Sequence, residues 1–339
     1  MSRIAKKNHV AATIIFAASG LSLFSGSAYA NDCPSGDFTR FLSAFSATPD
    51  AQQRFTAMTV KTLVLKPAAQ SDQFEPLATG VTKADLAFPL MAPLASDNTE
   101  GVKIQKVDDS HITVVDKRAG NSNIKVFNFS RQACWVLEGL EDWSINEKYL
   151  SASSKPEMGR AESYCFQRGE VYAGLGGLGQ YRLSREFFEA ALENYICAAA
   201  SGDPQASLEA ASLSLSGMAP QLETPKVEAL LKAAATTLAD GASGLSTFYC
   251  YGNTIAGEGA CQNPELAEKE LIRAASMGSV DAINYLGYTF ERGELTTKDV
   301  PRAMACYRLA ADKGNQTAAM NVERLKTQVA DMTAARNCY

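Results

Sequence analysis

The sequence predicts an α+β N-terminal domain, a helix plus a curved antiparallel sheet, followed by an all-α helical repeat solenoid. Three observations carry that reading: an amphipathic stretch after Asp37, runs of alternating β-branched residues up to Leu140, and glycines returning at near-constant spacing after Gly202. At 339 residues, 46% hydrophobic and 20% charged, the chain has the size and composition for two globular cores.

The first thirty residues stand apart. Arg3, Lys6 and Lys7 precede an apolar run that ends in Ser27-Ala28-Tyr29-Ala30, the pattern of a secretory leader with an A-x-A cleavage site. The apolar run is interrupted by Ser19-Gly20 and is shorter than the roughly 20 residues that span a bilayer. Asn31 and Asp32 follow the cleavage point and Cys33 comes third, so the position for a lipid-bearing cysteine is not filled. The expectation is a periplasmic or secreted protein without membrane insertion after cleavage. Losing the leader removes three basic residues and no acid, which moves the net charge from −5 to −8. An acidic chain without a basic run is a poor ligand for nucleic acid or an anionic membrane.

After the leader, Phe38, Phe41, Leu42 and Phe45 recur at helical spacing within residues 37–58, which places them on one buried face. Residues 59–66 alternate as a strand. Pro67, Pro76, Pro89 and Pro93 then interrupt the stretch up to Gly101, and no long regular element is expected there. Strand signals return at 102–107, 111–116, 124–129 and 134–140, the first three separated by Asp108-Asp109-Ser110 and Gly120-Asn121-Ser122. Over about residues 35–146 this order of elements resembles the nuclear-transport-factor-2-like group of small α+β domains. The resemblance implies a helix inside a curled sheet, serving as an enzyme or as a binding cup, and it designates no catalytic residue. The expected division is a leader at 1–30, a small α+β domain at 31–150 and about four helical repeats with a capping helix at 151–339.

Beyond a Ser/Lys/Pro-rich link at 151–156 the texture changes to alanine and glycine at helical periodicity. Glycines expected to close helices fall at Gly202, Gly241, Gly278 and Gly314, and an alanine pair stands shortly before all but Gly241. Alanine follows four residues after three of them, at Ala206, Ala282 and Ala318, and second glycines stand at Gly217 and Gly293. The unit is helix, glycine turn, helix, glycine. The phrase Ala282-x-x-x-Leu286-Gly287-x-x-Phe290-x-x-Gly293, followed by Ala303, Tyr307, Ala310-Ala311 and Gly314, resembles the Sel-1-like repeat, a relative of the tetratricopeptide repeat. A looser match runs through Tyr251-Gly252-x-x-Ile255-x-Gly257, Ala267, Ile272, Ala274-Ala275 and Gly278. The resemblance covers roughly the last 180 residues. It implies an adaptor that binds another protein, with exported members serving in envelope signalling or as inhibitors of toxic effectors. Cysteine-rich exported relatives linked to penicillin binding supply the alternative, an envelope hydrolase or penicillin-binding protein.

Eight cysteines, all beyond the leader, read as four disulfides. No pair has C-x-x-C spacing and a single histidine, His111, follows the leader, so no metal or other cofactor is expected. Eight cysteines allow about 105 pairings. The set that respects the two domains and the hairpins joins Cys33 to Cys134, Cys165 to Cys197, Cys250 to Cys261 and Cys306 to Cys338.

Local matches to chemistry are few. Gly174-Leu175-Gly176-Gly177-Leu178-Gly179 fits G-x-G-x-x-G, but it follows a helix rather than a strand and reads as an interhelical turn. Ser122-Asn123-Ile124-Lys125 fits S-x-x-K, yet it lies on a hairpin shoulder where alternation sends serine and lysine to opposite faces. Glu138, Glu141 and Asp142 read as a solvated strand end. His111 lacks an identifiable orienting group. The chain is therefore expected to be a non-catalytic binding protein. Its candidate docking residues are Asn284, Tyr288 and Glu291, which share the helix face opposite Ala282, Leu286 and Phe290 and have no evident packing role in the sequence. Intact-mass measurement of the exported protein should give a chain beginning at Asn31; a mass that retains residues 1–30 would remove the leader from this account.

Overall fold

The structure, a computed structural model, describes residues 33–68, 73–94, 99–151, 159–253, 259–328 and 337–339. The leader, most of the 151–156 link, and Ile255 and Gly257 lie outside the described residues.

Helix α1 (Phe38–Ala47) starts where the Asp37 carboxylate accepts the Arg40 N–H, and it buries Phe38, Phe41, Leu42 and Phe45. The helical signal expected to reach Met58 breaks at Thr48-Pro49. Thr48 is extended and caps a second short helix, α2 (Pro49–Arg54), with proline at its first position. Gln52, fully buried, donates to the Met91 carbonyl at 2.7 Å and accepts the N–H groups of Leu90 and Met91, holding the proline-rich segment against the core.

Six strands follow: β1 (Thr56–Pro67), β2 (Phe74–Thr82), β3 (Val102–Lys106), β4 (His111–Asp116), β5 (Lys125–Arg131) and β6 (Trp135–Asp142). Their order is β2-β1-β6-β5-β4-β3. β2 corrects the expectation of an irregular stretch after Pro67. It is an edge strand paired only with β1, and an edge tolerates Pro76, whose missing N–H faces away from any neighbour. The sheet is mixed rather than wholly antiparallel, because β6 returns beside β1 in the same direction while every other pair is antiparallel.

Both faces of this sheet are apolar, and each has its own cover. Ile112, Val114, Phe127, Phe129 and Leu137 pack with the α1 phenylalanines. Their chain neighbours Val115 and Val126 point the other way, as strand alternation requires, and join Leu65, Ile124 and Trp143 against the first helical hairpin.

That hairpin is α3 (Arg160–Gly177) and α4 (Ser184–Ala199); it brings Tyr172, Leu175, Phe187, Ala190 and Ala191 onto the sheet. Trp143 meets Phe187 edge-on at 4.9 Å. Polar groups fix the register of the seam. The Tyr172 hydroxyl donates toward the carbonyls of Ser122 and Trp143 at 2.8 and 2.9 Å, and burial pushes its pKa well up. Asn194 donates to the Ser122 hydroxyl at 2.6 Å. Arg182 reaches Thr113, Asn128 and Glu141.

The array continues through α5 (Pro204–Leu215), α6 (Thr224–Ala234), α7 (Ala239–Tyr251), α8 (Pro264–Ser276), α9 (Val280–Arg292), α10 (Val300–Asp312) and α11 (Gln316–Gln328), each packed on the next. Gly202, Gly278 and Gly314 close second helices at positive φ, and Gly217 and Gly293 close first helices in the same way. Three glycine readings are corrected. Gly241 lies inside α7, where a Cβ would sit 2.5 Å from the Ala234 carbonyl carbon, so it permits close helix approach rather than a stop. Gly252 is the helix-ending equivalent of Gly293 rather than of Gly287. Gly174, Gly176 and Gly177 belong to the last turns of α3, and a Cβ on Gly176 would stand 2.9 Å from the Phe188 ring.

Within the hairpins, residue sizes are matched. A Cβ on Gly169 would lie 2.7 Å from the Tyr195 ring, and one on Gly287 equally close to the Tyr307 ring. In the two middle units the equivalent positions hold Ala211 with Leu231 and Ser246 with Leu271, larger small residues facing smaller large ones. Cys33–Cys134, Cys165–Cys197, Cys250–Cys261 and Cys306–Cys338 are joined, so no bridge links the sheet region to the helical array. The C-terminus departs from the single capping helix expected over 315–339. Residues 337–339 are non-helical and lie back on the array, with Arg302 donating to the Cys338 carbonyl at 2.9 Å and the Tyr339 hydroxyl to the Ala275 carbonyl at 3.1 Å.

Gly287→Ala should lose about 1–3 kcal/mol of stability in urea denaturation, the usual cost of overpacking. Adding Tyr307→Leu, which imitates the middle units, should recover part of that loss. Strict additivity of the two single changes would show that the pair is not sterically coupled.

Candidate first-helix interface of the fourth repeat

Helix α9 is amphipathic. Ala282, Ile283, Leu286, Gly287, Thr289 and Phe290 are buried, and the opposite arc carries Asp281, Asn284, Tyr285, Tyr288, Glu291 and Arg292. The Ser279 hydroxyl caps its start and Gly293, in the left-handed region, ends it.

The three sequence candidates have different fates. Tyr288 is half-buried and stacks on Tyr285 of its own helix, with ring centroids 5.8 Å apart and planes 12° from parallel. Arg292 lies over the Tyr288 ring at 5.2 Å and pairs with Glu294 at 2.8 Å. Burial foremost, then the Glu294 carboxylate, raises the Tyr288 pKa, and Tyr285 is shifted the same way by burial. Asn284 is half-buried beside them, and its side-chain oxygen is enclosed without a hydrogen-bond donor.

Glu291 corrects the expectation of a carboxylate with no packing role. It accepts both guanidinium nitrogens of Arg324 at 2.6 and 2.7 Å and the Tyr307 hydroxyl at 2.9 Å, joining α9 to α10 and α11. Sequence periodicity placed it on the outer arc but could not show that the next two helices reach around that edge. Tyr285 and Arg292 were missed, although with Tyr288 they form an i, i+3, i+7 series on one face, which is the signal that could have found them.

Charge along the first helices is mixed. α5 and α7 carry Glu209 and Asp240 and no lysine or arginine, whereas α3 carries Arg160 and Arg168 beside Glu162 and Glu170, and α9 carries Arg292 beside Asp281 and Glu291.

Elsewhere, the local matches to chemistry are taken up by structure. The Ser122 hydroxyl accepts from Asn194, and Lys125 lies 4.0 Å from Asp142, so serine and lysine of the S-x-x-K match are not brought together. Glu141 accepts from Asn128, Trp143 and Arg182 on an interior strand, which corrects its reading as a solvated edge. Glu138 on the same strand accepts from the Ser130 hydroxyl. His111 does have a neighbouring carboxylate, Asp108 at 2.9 Å. The Ser110 hydroxyl, however, approaches the same ring nitrogen, Nδ1, at 3.0 Å, whereas relay from a serine to a carboxylate uses the two different nitrogens. Asp108 itself is held down to about pKa 2 by the Ser110 hydroxyl and N–H and by His111. Among the described residues no cluster of three His, Cys, Asp or Glu side chains could hold a metal ion, and no helix is long and apolar enough to cross a membrane.

Comparison with known proteins gives no matching family model and no matching curated protein. Solved structures do match. A Sel1 repeat protein from Oxalobacter formigenes is 20% identical, with 54% of this chain and 67% of that one covered and a TM-score of 0.41. The chain is similar in fold to Sel1-repeat proteins. A protective antigen of uropathogenic Escherichia coli strains, displaying an SLR fold, is 20% identical over 50% of this chain and 42% of its own length, with a TM-score of 0.35. A putative Sel1 repeat protein from Klebsiella pneumoniae subsp. pneumoniae is 17% identical over 50% of this chain and 86% of that one, with a TM-score of 0.29. At these identities the likeness extends to fold alone.

The Arg324 hydrogen bonds, with a smaller contribution from Tyr307, hold the Glu291 carboxyl below its ordinary range against the opposing effect of burial. A carboxylate with a lowered folded pKa contributes stability above its unfolded pKa and loses that contribution as pH falls through the folded value. Glu291→Ala should therefore destabilise the protein near neutrality by about 1 kcal/mol, discounted for the exposure of Arg324. The difference from wild type should shrink in acid, below the ordinary carboxylate range. Tyr288→Ala should leave the melting temperature nearly unchanged. A large loss for Tyr288→Ala would make it a packing residue.

Proposed function

We propose that this chain is an exported, non-catalytic protein-binding scaffold that docks a partner protein on the first-helix face of its repeats. The observation that carries the reading is the Tyr285–Tyr288 stack with Arg292 lying over the Tyr288 ring, aromatic and arginine surface on the outer arc of α9, where Tyr285 is exposed and Tyr288 half-buried. Tyrosine and arginine are the residue types that dominate binding energy at protein interfaces, and a pre-stacked pair loses little rotamer freedom on docking.

Four paired disulfides suit an oxidising, non-cytoplasmic environment, and the leader pattern makes the periplasm or the exterior the proposed location. Assembly of an envelope complex or inhibition of a toxic effector are the two roles this surface would serve. The chain divides at about residue 150 into two modules, with α3 and α4 forming the contact between them.

The test is affinity capture from envelope extract, followed by direct binding of the recovered partner to purified wild-type and Tyr285→Ala/Tyr288→Ala protein. The double variant should keep its fold and bind at least tenfold more weakly. Unchanged affinity would move the docking surface elsewhere. Covalent labelling of the wild-type chain by a fluorescent β-lactam would replace this reading with that of a penicillin-binding protein.

A further inference from the structure

The two edges of the sheet differ in how they meet solvent. β3, at one end, has five residues and carries Lys103 and Lys106, charges of the kind that discourage pairing with another strand. β2, at the other, has nine residues and one charge, Glu75, with Pro76 as its only further guard. The Ala68 N–H donates to the Gln73 carbonyl at 2.8 Å, and alternation along the ladder from that pair turns the backbone groups of Glu75, Leu77, Thr79 and Val81 toward β1. Those of Ala78, Gly80 and Thr82 therefore point out of the sheet. Residues 77–80 are exposed, and among the described residues no strand pairs with this edge.

The open stretch is symmetric about one residue. Leu77-Ala78-Thr79-Gly80-Val81 reads apolar, small, threonine, small, apolar in both directions. An antiparallel copy centred on Thr79 would set Ala78 of each chain opposite Gly80 of the other, in pairs that exchange main-chain hydrogen bonds both ways. It would also bring each Thr82 N–H to a Pro76 carbonyl, so the proline removes a donor from the pairing but not an acceptor. Leu77 would lie across from Val81 of the second copy. On β1, Val64 stands beside Leu77 and Val60 beside Val81, so two apolar rows would run through the junction. In the single chain Val64 and Leu77 are 38% and 42% exposed. Between these rows the Thr62 and Thr79 hydroxyls share a hydrogen bond at 2.9 Å, and two such pairs would meet at the axis. Glu75, the one charge of the strand, would come level with Lys83 of the second copy, which is opposite in sign. The single chain does not require glycine at position 80, because a Cβ there would meet only Thr59 Cγ2, at 3.6 Å, an ordinary contact.

We propose that β2 is a dimerisation edge, along which two copies of this chain pair antiparallel about a two-fold axis at Thr79 and join their sheets into one. A two-fold contact needs a patch that is complementary to itself, and the sequence from Leu77 to Val81 supplies it. Pairing over so short a stretch buries less surface than an obligate dimer does, so the association is reversible. The edge shares no residue with the first-helix face and does not rest on the docking reading above.

Sedimentation equilibrium of the full-length, disulfide-intact protein tests it. The mass should rise reversibly with concentration from one chain to two. Thr79→Lys sets like charges across the axis, and Ala78→Pro removes an outward N–H at an edge that already tolerates Pro76. Each should weaken the dimer by about tenfold or more, with the melting temperature of the dilute monomer nearly unchanged. Ile104→Lys, on the opposite edge, and Tyr285→Ala/Tyr288→Ala should dimerise as wild type. Cysteine substitution reads the register, because residues directly opposite in a non-hydrogen-bonded pair stand about 4.5 Å apart at Cα, within disulfide reach. Thr79→Cys should give an interchain bridge on a non-reducing gel, and Ala78→Cys should not. A chain that stays monomeric at millimolar concentration would overturn the proposal and leave the edge to a strand of a different protein. So would a dimer unaffected by both Thr79→Lys and Ala78→Pro, or one bridged through Ala78→Cys and not through Thr79→Cys.

Discussion

The sheet's second apolar face is the constraint on which the rest of the molecule depends. α1 can cover one side only, and the side carrying Val115, Ile124, Val126 and Trp143 would expose a continuous apolar surface if α3 and α4 did not lie on it. Each large side chain so covered contributes about 1.5–3 kcal/mol. The hairpin that provides the cover is also the first unit of the repeat array, so the sheet acts as the end plate from which the helices propagate. At the far end, α11 and the returning C-terminal residues lie over the last hairpin, with Cys306–Cys338 holding the tail there. An array of helical pairs needs covers of this kind because each pair buries its faces only against neighbours.

Polar residues that suggest chemistry in one dimension serve this architecture in three. Ser122 and Glu141 are both addressed from the helical hairpin, by Asn194 and Arg182, so the two most enzyme-like features of the sheet act as register pins for the seam. Glu291 does the equivalent at the other end, where one carboxylate ties α9 to α10 and α11. A buried polar group is tolerated only when its partners are supplied. The enclosed oxygen of Asn284 is an exception among the described residues, and it lies beside the tyrosine stack proposed as the docking surface. The register slip between β1 and β6 is a second departure from regularity, in a different part of the molecule.

Inside the array, packing rather than propensity sets the spacing of helices. Gly287 and Gly169 exist in helices, where glycine is unfavourable by about 1 kcal/mol relative to alanine, because a tyrosine ring from the second helix occupies the space of the absent side chain. The middle units reach the same volume with alanine or serine facing leucine. Volume conservation across a contact, rather than identity at either position, keeps the units stackable.

Much of this was legible in the sequence. Alternation located β1, β3, β4, β5 and β6, because a half-buried strand must repeat every two residues. Glycine period and the alanine phrases located the hairpins, because a helix end needs a positive φ and a close crossing needs a small side chain. The cysteine pairs that respect the hairpins are those the structure joins, since antiparallel helices bring an early residue of one near a late residue of the next. Other features were decided only by tertiary structure. Pro76 hid β2, because whether a proline is tolerated depends on whether its strand is at an edge. Gly241 looked like a helix stop and proved to be a contact, because both roles select glycine. The docking of α3 and α4 on the sheet and the capture of Glu291 by Arg324 both join residues distant in the chain. Local periodicity states which face of an element is apolar; it does not state which neighbour will cover that face, and that choice belongs to the fold as a whole.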